Sequence, residues 1–103
     1  MTYKEYNLLD KCLEIINYYG VEPQQKIAIE EMAELTQAII KLERNTEYIK
    51  YKNNYIEELA DCYLILLQLI MKSDIKKIYD IAIKKANRQL KRIKDENKNH
   101  GGL

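Results

Sequence analysis

In the first twenty residues Leu8, Leu9, Cys12, Leu13, Ile15 and Ile16 recur at helical spacing. Thr2 precedes them, with Glu5 three residues further on, which is the spacing of a capping box. A first helix is predicted from there to about Tyr19, where Gly20 stops it. Val21-Glu22-Pro23 re-enters a helix, because proline is tolerated at a first helical position whose N–H has no partner anyway. This second helix carries Ala28, Met32, Leu35 and Ile39 and runs to about Arg44. From Asn45 to Asn53 the chain is polar and rich in tyrosine without an apolar period, which predicts a loop with room for a short helical turn. Asn53 or Asn54 caps a third helix that reaches about Lys72. Ser73 and Asp74 then supply the N-cap of a fourth, from Ile75 to about Asn97. The tail, 97–103, contains Gly101-Gly102 and is predicted to be disordered.

Composition agrees with helices throughout: the chain is 47% hydrophobic and 32% charged, with only three Gly and one Pro. Its 103 residues suffice for one core, so 1–103 is predicted to be a single all-α domain, an antiparallel four-helix bundle. The formal net charge of +1 gives no global attraction to nucleic acid or an anionic membrane. The most apolar run, Leu59 to Met71, contains Asp61 and Gln68 and is shorter than the ~20 residues of a bilayer crossing. It predicts a buried helix and no membrane partner. Two cysteines, Cys12 and Cys62, and a charged N-terminus without an apolar signal segment point to a reducing, cytoplasmic setting. Both cysteines occupy apolar helical positions suited to core packing.

The deepest helix nevertheless carries Glu57, Glu58 and Asp61, and charges are rarely buried unless paired or bound to metal. These acids belong to a repeat. Residues 29–35 read Ile-Glu-Glu-Met-Ala-Glu-Leu and residues 56–62 read Ile-Glu-Glu-Leu-Ala-Asp-Cys. At 100° per residue, Glu31 and Glu34 lie about 60° apart on one helix, as do Glu58 and Asp61 on the other. Adding Glu30 and Glu57 widens each acidic arc to about 100°. If the arcs face each other, four to six carboxylates converge, and their mutual repulsion calls for a cation. Oxygen ligands favour a hard ion, Mg²⁺, Mn²⁺ or Ca²⁺. Di-iron bundles use Glu-x-x-His, and the only histidine, His100, lies in the tail.

The paired acidic motifs resemble those of the MazG-like, all-α nucleoside triphosphate pyrophosphohydrolases. Residues 20–40, Gly-Val-Glu-Pro-Gln-Gln-Lys-Ile-Ala-Ile-Glu-Glu-Met-Ala-Glu-Leu-Thr-Gln-Ala-Ile-Ile, are similar to that family's first metal helix with its approach loop, and Glu57-Glu-Leu-Ala-Asp61 to the second. Lys85-Ala86-Asn87, followed by Lys91-Arg92, is similar to its Lys-x-Asn element. The resemblance implies Mg²⁺-dependent hydrolysis of a (deoxy)nucleoside triphosphate to the monophosphate and pyrophosphate, with Mn²⁺ as a possible substitute. Glu31, Glu34, Glu58 and Asp61 become the metal ligands. Glu30, Glu34 and Glu57 become the candidate catalytic carboxylates, Glu30 and Glu57 either orienting the attacking water or supporting the ligands. Lys85, Asn87 and Arg88 become the candidate substrate-binding residues.

Phosphoanhydride cleavage needs charge neutralisation and an in-line water more than covalent help from the protein, and an acidic cluster with a divalent ion supplies both. With no Trp or Phe, any stacking platform for a base must come from tyrosines such as Tyr18, Tyr19, Tyr48, Tyr51 and Tyr55. The small apolar domain is expected to pair as a homodimer or homotetramer. The basic face of helix four, Lys84, Lys85, Arg88, Lys91, Arg92 and Lys94, fits a solvated helix C-terminus or contact with phosphate. No base-reading motif accompanies it, so nucleic acid is not expected as a partner. The competing reading is a noncatalytic helical interaction module whose acids form solvated faces.

Overall fold

The computed structural model describes residues 1–44 and 48–101. Four helices account for nearly all of them: α1 (Tyr3–Tyr19), α2 (Val21–Arg44), α3 (Tyr48–Met71) and α4 (Ile75–Gly101), with no strand among the described residues. The chain is therefore all-α with the four helices that the sequence predicts. It divides into two compact units, Met1–Ser73 and Asp74–Leu103.

In the first unit the start and stop signals act as expected. Thr2 is extended (φ −76°, ψ 163°), and its hydroxyl accepts the Glu5 N–H at 3.2 Å. Gly20 ends α1 at φ 91° and ψ 165°, a conformation open to glycine, and its N–H donates to the Ile16 carbonyl at 2.8 Å. Pro23 stands third in α2 and not first. The substitution for an earlier position is harmless, since none of the first four N–H groups of a helix has an intrahelical acceptor.

The predicted loop over 45–53 is corrected from Tyr48 onward: α3 begins there, and neither Asn53 nor Asn54 is its cap. Tyr51, Asn54, Tyr55 and Glu58 are half-buried at i, i+3, i+4 and i+7. A helical period is thus present, but two of its four inward positions are polar, which hides it from an apolar count. Positions 45–47, also part of the predicted loop, lie outside the described residues, as does the side chain of Tyr48.

Within this unit α3 packs against both α1 and α2. The core comprises Cys12, Ile16, Ala28, Ala38, Cys62 and Ile65. Ala28 and Ala38 let α2 approach closely, and Cys12 reaches from α1 to the Leu64 carbonyl at 3.9 Å. The α2–α3 pair is antiparallel, because Gln24 bonds to Gln68 while Glu31, seven residues later, contacts Cys62, six residues earlier. Helix α3 buries only one stripe of its apolar circumference; Ile56, Leu59, Tyr63 and Leu66 remain exposed.

In the second unit Asp74 is the cap, accepting the Lys77 N–H on Oδ1 at 3.0 Å; Ser73, the last residue of the first unit, instead donates from Oγ back to the Leu69 carbonyl at 2.8 Å. Helix α4 continues past Asn97 to Gly101. The segment Asn97-Lys98-Asn99 is polar, yet a helix can extend on backbone bonds alone until glycine intervenes. Positions 102 and 103 of the predicted tail lie outside the described residues. Among the described residues, no helix is long and apolar enough to cross a membrane.

Candidate metal centre

The α2–α3 register determines which acids meet. Seven residues along from Gln24 is Glu31, and seven back from Gln68 is Asp61, so the register of the glutamine pair places these two level. Three residues more bring Glu34 level with Glu58. The two copies of the heptapeptide therefore face each other head to tail across one seam.

Each acidic arc runs outward from that seam. Glu31 and Glu58, closest to it, are half-buried; Glu34 and Asp61, about 60° further round, are exposed, as are Glu30 and Glu57 at about 100°. Glu31, Glu34 and Glu58 each bring one carboxylate oxygen within 4.8 Å of the others. Asp61 is not part of this trio but lines the same cleft as Glu31. Glu30 and Glu57 stand outside it at the surface. Of the six acids predicted for the site, three converge, one adjoins and two flank.

Glu31 Oε2 and Glu58 Oε2 are buried and accept no hydrogen bond. Buried polar atoms without partners are uncommon and ask for an explanation. Burial, followed by the charges of Glu34, Asp61, Glu58 and Glu30, raises the Glu31 carboxyl above its ordinary value of 4.5. Burial, then Glu34 and Asp61, raises Glu58 likewise.

Two oxygens on one Mg²⁺ lie at most about 4.2 Å apart, and on one Ca²⁺ at most about 5.2 Å, so Glu31, Glu34 and Glu58 are the residues that could hold such an ion. The orphaned oxygens are the atoms such an ion would satisfy, and an all-carboxylate set selects hard ions.

The Cys62 thiol donates to the Glu31 backbone carbonyl at 3.2 Å, linking the two motifs through their backbone and side chain. Burial, then the charges of Glu31, Glu58, Asp61 and Glu34, pushes the Cys62 thiol up; burial does the same to Cys12. Both are thus protonated packing groups, as their positions in the sequence predict.

Lys85, Asn87 and Arg88 lie on α4 in the second unit, all exposed. Neither the acidic repeat nor the apolar period points to Gln24, or to Gln68 as a partner for it. Gln24 Nε2 donates to Gln68 Oε1 at 2.8 Å, and both residues are buried. The available signal was a polar residue at an inward position of each helix, four before Ala28 and three after Ile65.

No family model matches the chain, and no curated protein or solved structure does either.

Proposed function

We propose that the chain is a Mg²⁺-dependent hydrolase of nucleoside triphosphates, releasing the monophosphate and pyrophosphate. The observation that carries this reading is the pair of buried, unpartnered oxygens, Glu31 Oε2 and Glu58 Oε2, within a trio of carboxylates. The MazG-like pattern of the two acidic motifs supports it and supplies the reaction.

Glu31, Glu34 and Glu58 would hold the cation, with Asp61 beside them. The ion supplies charge neutralisation at the phosphates and acidifies water. One of Glu30 and Glu57, exposed next to the ligands, would orient the attacking water and take the single proton it loses as its oxygen bonds to the α-phosphorus and the bond to pyrophosphate breaks. Lys85, Asn87 and Arg88 enter through the family resemblance alone, and alanine at Lys85 or Arg88 is expected to raise KM.

Self-association belongs to the same reading. Ile29 and Met32 on α2, and Ile56, Leu59, Tyr63 and Leu66 on α3, expose apolar surface at three- and four-residue spacing. A second copy of the chain would cover it in a homodimer or homotetramer. Those same residues favour the alternative, a noncatalytic interaction module.

One experiment separates the two. With Mg²⁺ the protein releases pyrophosphate from at least one nucleotide in a broad panel, and Glu34→Gln or Asp61→Asn lowers kcat by at least about 10²-fold while the chain stays folded. Absence of turnover, together with a melting temperature indifferent to Mg²⁺, Mn²⁺ and Ca²⁺, leaves the interaction module.

A further inference from the structure

A cleft of about 200 Å³ opens beside the carboxylate trio. Its walls include Ile15 from α1, Ile27 from α2 and Leu64 and Ile65 from α3, Glu31 and Asp61 stand at its acidic side, and Gln24 and Gln68 also line it. The two glutamines are 7% and 2% exposed, the only polar side chains so deeply buried among the described residues.

Their position is chemically unusual. The neighbouring seam positions are Ala28, Ala38, Cys62 and Ile65, and an apolar pair would avoid the cost of desolvating two carboxamides. The bond between them consumes one end of each group. Gln24 keeps its Oε1 as an acceptor, and Gln68 keeps its Nε2 as a donor. A donor and an acceptor left over on one bonded carboxamide pair, in a cleft lined also by aliphatic side chains, are the complement that the hydrogen-bonding edge of a flat heterocycle requires.

We infer that Gln24 and Gln68 form a nucleobase subsite, in which the carboxamide pair reads a base edge while the attached phosphates extend to the carboxylates. This inference rests on the proposed hydrolase for its phosphate side only. The cleft is smaller than the roughly 300 Å³ at which pockets for whole cofactors begin, which suits one heterocycle and excludes burial of an entire nucleotide. Stacking between apolar side chains and hydrogen bonds to the base edge are how proteins hold an isolated base.

The test uses nucleosides, which carry no phosphate, in EDTA, so that neither metal nor turnover is involved. Titrated into ¹⁵N-labelled full-length protein, at least one of uridine, cytidine, adenosine and guanosine shifts the side-chain NH₂ resonances of Gln24 and Gln68. Ribose 5-phosphate does not. The double variant Gln24→Met/Gln68→Met removes both partners together, so no buried group is orphaned and the fold is retained. It binds that nucleoside at least about tenfold more weakly and loses the corresponding preference in KM among triphosphates. If no nucleoside moves the two NH₂ signals at millimolar concentration, or the double variant binds as well as the parent, the subsite is overturned.

Pyrophosphate release is scored separately. Turnover with KM indifferent to the base and to the double variant would leave the hydrolase standing and remove the subsite. Nucleoside binding without any turnover would do the reverse.

Discussion

Replacing Glu31 with glutamine is expected to stabilise the metal-free protein near neutral pH. The substitution keeps the side chain's shape and removes one charge from a trio whose oxygens lie within 4.8 Å of each other. Two unit charges at that distance repel by about 0.9 kcal/mol in a water-like dielectric and about 3.5 kcal/mol at an effective value near 20. Glu34 is exposed and Glu31 half-buried, so solvent screening places the relief near the lower figure, about 1 kcal/mol. For a unit of this size that raises Tm by about 4–8 °C. The pH dependence gives a second readout. The folded-state carboxyls of Glu31 and Glu58 bind protons more tightly than their ordinary value of 4.5. Their contribution to stability is therefore complete below about 4.5 and is lost as pH rises through the raised values. Thermal melts in EDTA at low ionic strength should show Glu31→Gln above the parent at pH 7.5, with the gap closing toward pH 4.5. Mg²⁺ should reverse the order, stabilising the parent more than the variant. A variant that melts lower than the parent in EDTA at pH 7.5 would refute the repulsion argument and show that the carboxylate makes structural bonds.

Gly20→Ala should destabilise the first unit by roughly 1–3 kcal/mol, measured by urea unfolding, because φ 91° with ψ 165° is closed to alanine. The added Cβ would meet only Pro23 Cδ at 3.9 Å, so the loss is conformational, and Gly20→Asn should recover little of it. Ile16→Ala, at a side chain 1% exposed, should cost roughly 2–5 kcal/mol in the same assay by opening a cavity between helices. Cys12 and Cys62, buried with raised thiol pKa values, should react with a thiol reagent at pH 8 only as fast as the chain unfolds, and at once in denaturant. Fast labelling of either in native buffer would contradict the packing described for that residue.

The elements most readily seen in the sequence are those fixed by local chemistry. Thr2 with Glu5, Gly20 and Asp74 each act within a few residues of themselves, and each performs its predicted role. The start of α3 depends on tertiary context: Asn54 and Glu58 occupy inward positions that an apolar period cannot register. The carboxylates follow the same division. Their repeat predicted that acids would share a face, whereas the separation of Glu30 and Glu57 from the trio follows from a seam narrower than the 100° arc, and Asp61, at the same angle as Glu34, has a side chain one methylene shorter. The Gln24–Gln68 bond joins residues 44 apart and needed the register before it could be seen.

The head-to-tail register of the heptapeptides means that the carboxylate trio is split two and one between α2 and α3, and each helix carries one of the two glutamines. A break in the chain between Arg44 and Tyr48 would therefore divide the centre into two incomplete parts, Glu31 and Glu34 on one fragment and Glu58 on the other. Neither fragment alone would offer the full ligand set, and affinity for a divalent ion would appear only when they reassemble. The ion would then report on helix docking directly, making the centre a split reporter of its own fold.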